Sequence, residues 1–597
     1  MTDMRHHINK ILFIVLVAAG TVACRKSENF PVDKQTSYYI FNPLDSAGEA
    51  AQGYLFGVYA VVKNGHNRVG GDYLDAAADD AVSARINQSA VAQISTNAVN
   101  SLSFPANENV WEESTPGNTP SSFYSGIRIA NEFINGIPVV PVKGFVNNGV
   151  ATATAPGVPM RYVWQSEARF LRAYFYYELV KRYGGVPLIG NKVYNIQDNV
   201  ALPRSSFADC IKYIVSECDA VKDSLLRYPL ATPDADNYRV TKGAALTLKA
   251  KALLLAASPL FNGGNVQAGN PLTGYTDVSA GAVADRWLQA ANAAQAVINL
   301  GTYGLNADYR AIFTTQNNRE LIMIRPTGMN TSIENNNGPV GFQVGGGGNT
   351  SPTQELVDAF PMQNGLAINA AGSGYNIADP YAITSTPKRD PRLASTILYN
   401  GSRWLNTNLE TFEGGQSKPG GAIQQTVSGY YSRKFTGPSE SGTVFVSHPA
   451  DWVVFRYADV LLSFAEARNE VEGTPQADVY NQLYAIRQRA GIDPGLGGNY
   501  GLKLNMTKDE MRAAIQNEWR IEFAFEERRF FDIRRWKIAE TVMNQPRRGV
   551  SIVKVGSALS YNYKDILKTT FTQKQYLHPI PYNEVAKNPN MKQNPGW

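Results

Sequence analysis

The chain has 597 residues, 44% of them hydrophobic, and a formal net charge of +5 from 56 basic and 51 acidic side chains. So even a balance, with no long basic run, argues against nucleic acid as a partner. Three cysteines in 597 residues exclude a disulfide scaffold, and a chain of this length can bury a sufficient core without staples.

The first element decides the compartment. Arg5 and Lys10 precede the apolar run Ile11 to Ala19, and Gly20-Thr21-Val22-Ala23 leads to Cys24. A membrane-spanning helix needs about 20 apolar residues, so this run is too short to span and has the three-part layout of a secretory signal. Small residues before a cysteine resemble a bacterial lipoprotein box, although Thr21 stands where that box usually has leucine. Residues 1–23 are read as a lipoprotein signal peptide, Cys24 as the lipidation site, and residues 24–45 as the lipidated N-terminus and tether. No later hydrophobic run approaches membrane length.

A first helix is expected from the capping box Ser46-x-x-Glu49, with the stripe Ala51, Leu55, Val58 and Val62. Another carries an aromatic seam at Phe170, Tyr174 and Tyr177, read as core. Gly184-Gly185 supplies its exit and Pro187 prevents its continuation. The Ser206-x-x-Asp209 cap opens a helix bearing Cys210 and Cys218. Eight residues of helix rise about 12 Å, too far for a bridge, so both are read as buried thiols. Leu246, Ala250, Leu253 and Ala257 form a stripe opened by Thr241, and Trp287, Ala291, Ala294 and Ile298 form its partner. A further pair starts at Tyr457, Leu461 and Phe464, its second member opening at Thr474-Pro475 and ending at Ala490-Gly491. Thr507-x-x-Glu510 caps a late charged helix, in which Glu526–Arg529 and Arg528–Asp532 are spaced for surface pairs. Prolines in the tail suggest an extended strap over the body. Small residues recur on the paired helices, as at Ala168 and Ala173, Ala250 and Ala252, and Ala465 and Ala467. The expected fold is mostly α: a framework of tetratricopeptide-like helix pairs with long irregular loop insertions. It divides into a helical N-terminal region, 46–310, and a C-terminal region, 311–597, that contains a ligand-facing insertion at 325–450.

Residues 65–120 and 325–450 are rich in Gly, Asn, Ser and Thr and are interspersed with aromatics. Long segments of this kind inside a compact chain are usually functional. Sugar rings stack their C–H faces on aromatic rings while their hydroxyls seek polar partners. Tyr73, Trp111, Phe342, Tyr375, Tyr399 and Trp404 fall in these stretches. Any one ring is more often packing for its own loop. Tyr73, Trp111, Tyr375 and Trp404 are selected as stacking platforms, with Asp80 and Arg85 as polar partners.

Signatures of catalysis are missing from the sequence. His66, His448 and His578 stand apart, with no zinc spacing, nucleophile elbow, P-loop or dinucleotide fingerprint. No catalytic residue, metal or cofactor is assigned. A surface glycoside hydrolase, which needs only two carboxylates, stays open as an alternative.

Six segments carry a family resemblance. Ala168-Arg169-Phe170-Leu171-Arg172-Ala173-Tyr174-Phe175-Tyr176-Tyr177-Glu178-Leu179-Val180 with Tyr183-Gly184-Gly185-Val186-Pro187-Leu188 resembles the hallmark helix and exit of SusD/RagB proteins. Phe360 to Gly365 and Lys388-Arg389-Asp390-Pro391-Arg392-Leu393 resemble their middle region, and Glu522 to Trp536 their late charged helix. Leu577 to Pro581 and Gln593 to Trp597 resemble their ending. Trp519 stands where the family commonly has Arg, and Glu527 where it commonly has Gly. The resemblance implies a non-enzymatic nutrient-binding lipoprotein of the outer membrane, exposed at the cell surface. It would capture oligosaccharide, or in the RagB branch peptide, and pass it to a TonB-dependent transporter of the SusC type.

Overall fold

The computed structural model describes residues 37–597, apart from residues 87, 113–121, 147–156, 196, 199, 228–238, 317, 420–424 and 472. The expected signal peptide and Cys24 lie outside the described residues. Part of the expected tether does not: Ser37–Ile40 is a short helix, and the Phe41 ring packs edge-on against Tyr54 and Phe133 at 5.8 and 6.0 Å. Residues 37–45 therefore belong to the body.

Ten helices of eight residues or more frame the molecule among the described residues. They are α1 (Glu49–Ala60), α2 (Phe123–Gly136), α3 (Met160–Tyr183), α4 (Phe207–Val221), α5 (Lys242–Ala257), α6 (Ala280–Ile298), α7 (Tyr457–Val471), α8 (Ala477–Ala490), α9 (Lys508–Glu522) and α10 (Arg528–Arg535). From α2 to α6 each helix packs on the next, and α7 then packs on α6 across an insertion of more than 150 residues. Helices α8 and α9 both pack on α7. The small residues at these seams, Ala250, Ala290, Ala291, Ala294, Ala458, Ala465 and Ala467, are all buried.

Several predicted caps are present. Ser206 Oγ accepts the Asp209 N–H at 3.0 Å, Thr241 Oγ1 accepts the Ala244 N–H at 3.3 Å, and both halves of the Thr507/Glu510 box are formed. Two are corrected. Helix α1 is capped at Gly48, in the left-handed region, because the Asp45 carboxylate rather than Ser46 takes the free N–H groups of Ala47 and Gly48. Helix α8 opens at Ala477 with Gln476 at its cap, two residues beyond Thr474-Pro475. Cys210 and Cys218 are free and buried, as their helical spacing requires.

The late charged segment is two helices, not one. The chain breaks between α9 and α10, where Phe525 and Glu527 have φ of 65° and 58°. A left-handed backbone favours glycine, so the site of the family's usual glycine is a real conformational demand. Glu527 meets it while its N–H donates to Asp75 at 3.2 Å and its carboxylate pairs with Arg68 at 2.8 Å. The expected surface pairs within this segment do not form. Glu526 instead binds Lys434 and Arg456, Arg528 binds Asp459, and Arg529 binds Asp79.

These contacts belong to a buried ionic lattice. Arg456 reaches Glu320 and Glu522 at 2.7 Å and Glu526 at 2.8 Å. Arg392 reaches Asp390, Glu518 and Glu522 at 2.8, 2.6 and 2.9 Å. Arg487 joins Glu518, Arg489 joins Glu320 and Glu522, and Lys434 joins Glu526. Five cations thus meet five carboxylates, which is what permits charge at this depth.

The two predicted loop regions are joined. Strand β1 (Ala81–Ser83) pairs antiparallel with β3 (Thr350–Pro352), Val82 facing Ser351, while β2 (Leu321–Arg325) pairs with β4 (Trp452–Arg456). The long hairpin β5 (Arg547–Val555) and β6 (Ala558–Leu567) packs near the same insertion through a bridge between Phe412 and Ile552. The tail crosses the end of α3: the His578 N–H donates to Arg182, and Asn594 donates to the Tyr183 and His578 carbonyls. It also contains a short helix, Tyr582–Lys587. Gly184, at φ 76°, leaves α3 there. A Cβ at this position would lie 2.3 Å from the Leu272 carbonyl oxygen, so only glycine fits.

Candidate functional site

Burial corrects most of the expected ligand platform. Tyr73 is fully buried, its ring 5.7 and 5.8 Å from Phe435 and Phe525. Trp111 is 4% exposed and packs on Tyr124 and Tyr183 at 5.0 and 5.1 Å. Trp404, fully buried, centres a satellite core with Leu398, Leu409 and Tyr431. Stacking on a sugar needs an open ring face, and these three rings have spent theirs on packing. Asp80 is fully buried and accepts from Arg520 Nε at 2.6 Å; burial pushes its carboxyl up. Arg85 is partly exposed, but its guanidinium donates to the Gly70 carbonyl at 2.6 Å and to Asp72, so it ties its own loop. Tyr375 alone remains a half-buried ring beside a cavity.

That cavity, about 350 Å³, opens in the insertion and is walled chiefly by Tyr381, Tyr399, Lys388, Arg389, Arg403 and Arg433. Local chemistry builds each wall. The Asp379 carboxylate accepts the N–H groups of Ile383, Thr384 and Ser385 at 2.8–3.0 Å and the hydroxyls of Thr384 and Ser385 at 2.9 Å. Although partial burial works the other way, these donors bring its pKa down to about 2. They fix a tight loop that sets Tyr381 and Ile383 at the cavity. Opposite, Gly401 turns at φ 88°, its N–H donating to the Leu409 carbonyl. Ser402 Oγ accepts the Tyr399 N–H at 3.0 Å. Trp404 anchors this turn from beneath.

The tyrosines form a cluster. Tyr381 and Tyr399 stack at 4.3 Å and 18°, Tyr561 of β6 meets Tyr381 edge-on at 5.7 Å, and the Tyr381 hydroxyl donates to that of Tyr430 at 3.2 Å. The Tyr375 and Tyr563 side chains share a hydrogen bond, and the Arg389 guanidinium lies 5.5 Å from the Tyr375 ring centroid. Tyr375 thus supports the cavity through Arg389 and does not itself line it.

The cations at the walls are held mostly by neutral groups. Arg389 donates to the carbonyls of Pro380, Val357 and Phe360 at 2.6, 2.7 and 2.9 Å. Burial pulls its guanidinium below the ordinary value. Lys388 Nζ donates to the Ala382 and Ile383 carbonyls, and Arg403 to Asn406. Arg433 pairs with Glu440, which also binds Arg310. The carboxylate on the wall, Asp390, is taken up by Arg392.

Two other cavities have their charged groups taken up by neighbours or are mainly apolar. One of about 470 Å³ has Trp287 and Trp536 at its wall, but Arg535 and the Trp536 indole take Glu466, and Arg512 takes Glu470. One of about 220 Å³ beside Phe56 and Ile324 is mainly apolar. No group of three or more metal-ligating side chains gathers among the described residues, and none of their helices is long and apolar enough to cross a membrane.

Tyr399 is one of the aromatics of the loop-rich stretches but not one of the four expected platforms. Tyr381, Arg403 and Arg433 carried no signal. Lys388 and Arg389 did, inside the segment Lys388 to Leu393. Its neighbours diverge in the fold, Arg392 entering the ionic lattice while Lys388 and Arg389 face the cavity walls.

Known proteins share this architecture. The family model for the SusD family matches residues 311–597, and a second, described as starch-binding and associating with the outer membrane, matches residues 54–254. The SusD-like protein P2 of Formosa agariphila is 24% identical over 72% of this chain and 74% of its own length. The SusD-like protein P25 of that organism is 22% identical over 71% and 70%. Among solved structures, a SusD-like protein of Bacteroides fragilis superposes with a TM-score of 0.69 at 23% identity, covering 92% of this chain and 98% of that one. A SusD-like carbohydrate binding protein of the same organism gives 0.67 at 21%, covering 92% and 99%. The surface glycan-binding protein A of Bacteroides fluxus gives 0.58 at 18%, covering 92% and 99%. The mostly helical body with small irregular sheets is the fold of these proteins, and this chain belongs to the SusD/RagB family of outer-membrane proteins.

Proposed function

We propose that this protein captures oligosaccharide in the Tyr381–Tyr399 cavity and hands it, without chemical change, to a TonB-dependent outer-membrane transporter of the SusC type. The observation that carries the reading is the cavity itself: a stacked tyrosine pair beside guanidinium and ammonium donors, on the insertion of a SusD/RagB chain. Aromatic rings with a few convergent polar groups are the usual composition of a saccharide site. Relatives of the same fold are described as carbohydrate-binding and surface glycan-binding. Capture is favoured over hydrolysis because glycoside cleavage needs two carboxylates about 5–9 Å apart across the bond. The carboxylate at the cavity wall, Asp390, is already held by Arg392.

The mature chain is anchored in this reading by lipid on Cys24, with its helix pairs serving as a tetratricopeptide-like frame and the loop insertion facing ligand. The experiment is a screen of the full-length protein in detergent against fluorescent oligosaccharides, each mixture then analysed by mass spectrometry. Binding of intact sugar supports capture. Shortened products would replace it with a hydrolase, and peptide binding without any sugar binding would move the chain to the peptide branch.

A further inference from the structure

The cavity gathers cations without anions. Lys388, Arg389 and Arg403 line it, and no carboxylate among the described residues lies within ion-pairing distance of any of the three. Arg433, the fourth cation, shares one carboxylate, Glu440, with Arg310. Asp390 contributes no free charge, because Arg392 binds both of its oxygens. The unbalanced cations differ in depth: Lys388 and Arg403 are exposed at the rim, whereas Arg389 is 5% exposed and is held by backbone carbonyls over the Tyr375 ring. Other buried arginines, Arg204, Arg534 and Arg547, are likewise held by neutral groups; what is particular here is that Arg389 shares a cavity wall with two exposed cations that also lack an anion. Carbonyl bonds satisfy the Arg389 guanidinium only in part, its buried Nε finding no acceptor among the described residues, and its charge is left without an anion.

Resting on the capture reading of this cavity, we infer that its ligand is an acidic oligosaccharide, with carboxylate or sulfate groups on the sugar placed among Lys388, Arg389 and Arg403. The half-buried Tyr399 ring, backed by the buried Tyr381, takes the apolar sugar face, and the cations take the charged substituent. A planar guanidinium suits both groups, since carboxylate and sulfate each offer paired oxygens to its fork of N–H donors. Neutral glycans would gain the stacking contact and leave the cations unanswered. Exposed and half-exposed charges are screened by salt, so the preference should be ionic-strength dependent.

Two matched pairs test this on the full-length protein by isothermal titration: tetragalacturonate against its methyl ester, and sulfated against unsulfated dextran oligosaccharide. The expected result is that the acidic member of at least one pair binds roughly tenfold or more tighter than its neutral partner. Which pair responds separates carboxylate from sulfate. The advantage should shrink when salt is raised from about 50 mM to about 500 mM. It should also fall in the double variant Lys388→Gln/Arg403→Gln, whose altered side chains are exposed and leave the fold intact. Equal or tighter binding of the neutral members overturns the acid preference, and if that binding is lost in Tyr399→Ala the capture reading stands. An acidic advantage unaltered by the double variant also overturns the inference, because the charge must then be read elsewhere. If neither pair binds and an acidic hexapeptide does, both the inference and the sugar-capture reading fail.

Discussion

Charge gathers in two regions of this molecule, to opposite ends. Beneath α9 and α10, five cations and five carboxylates are buried and paired, Arg456 alone touching Glu320, Glu522 and Glu526. At the loop cavity Lys388, Arg389 and Arg403 lean on carbonyls and an amide. A closed set of buried pairs fixes how segments distant in sequence assemble and leaves no valence for a ligand. An open set leaves valence to spare. Density of charge is therefore a poor guide to a binding site; the balance of charge is the better one.

The largest test breaks the balanced region. Arg456→Ala removes the cation shared by three buried carboxylates, leaving each with fewer partners, and should cost about 3–5 kcal/mol in denaturant unfolding. Next, Trp404→Ala empties the satellite core beneath the cavity turn and should cost about 3 kcal/mol of stability. An unchanged melting temperature with weakened sugar binding would restore Trp404 as a ligand platform. Third, Tyr399→Ala should weaken glycan affinity by about 1–3 kcal/mol in titration while stability changes little, since its ring is half-buried.

Acid should act on the buried interior before the cavity. His66 and His578 are buried, and burial lowers both pKa values to about 3. A lowered pKa means that the unfolded chain binds the proton more readily, so stability present above pH 6.5 is lost as pH falls toward 3, by up to about 1.4 kcal/mol per pH unit for each group. Glu522 and Glu526, held below their ordinary values by arginines against the burial that would raise them, extend the loss below pH 4.5. Asp72, which burial pushes up to about 6, opposes it in part between pH 6 and 4. Melting temperatures from pH 8 to 3 should therefore decline. A flat profile would mean the histidines are not buried neutral. The smallest effect belongs to the open region: Arg403→Gln, on an exposed side chain, should shift stability by no more than about 0.5 kcal/mol.

Sequence periodicity located most helices, and short-range chemistry located their ends where the cap is a side chain of the expected residue, as at Ser206, Thr241 and Thr507. It failed at Ser46 because Asp45, one residue earlier, was the better acceptor. The motif series also carried the family, since those segments turn on local demands such as the exit at Gly184 and the left-handed residue at 527.

What the sequence by itself determined was thus the mainly helical frame, the two buried thiols and the family. Only the tertiary structure decided which loop aromatics are core and which charges are spent. Tyr73, Trp404 and Tyr399 look alike in loop-rich stretches, but Phe435 and Phe525, which bury Tyr73, and Val340 and Tyr431, which pack with Trp404, are supplied from other parts of the chain. Arg389 and Arg392 stand three residues apart, one at the open cavity and the other in the closed lattice, because the carboxylates that neutralise Arg392 arrive from α9, more than 120 residues later. Burial and ion pairing depend on long-range assembly, and no local pattern records them.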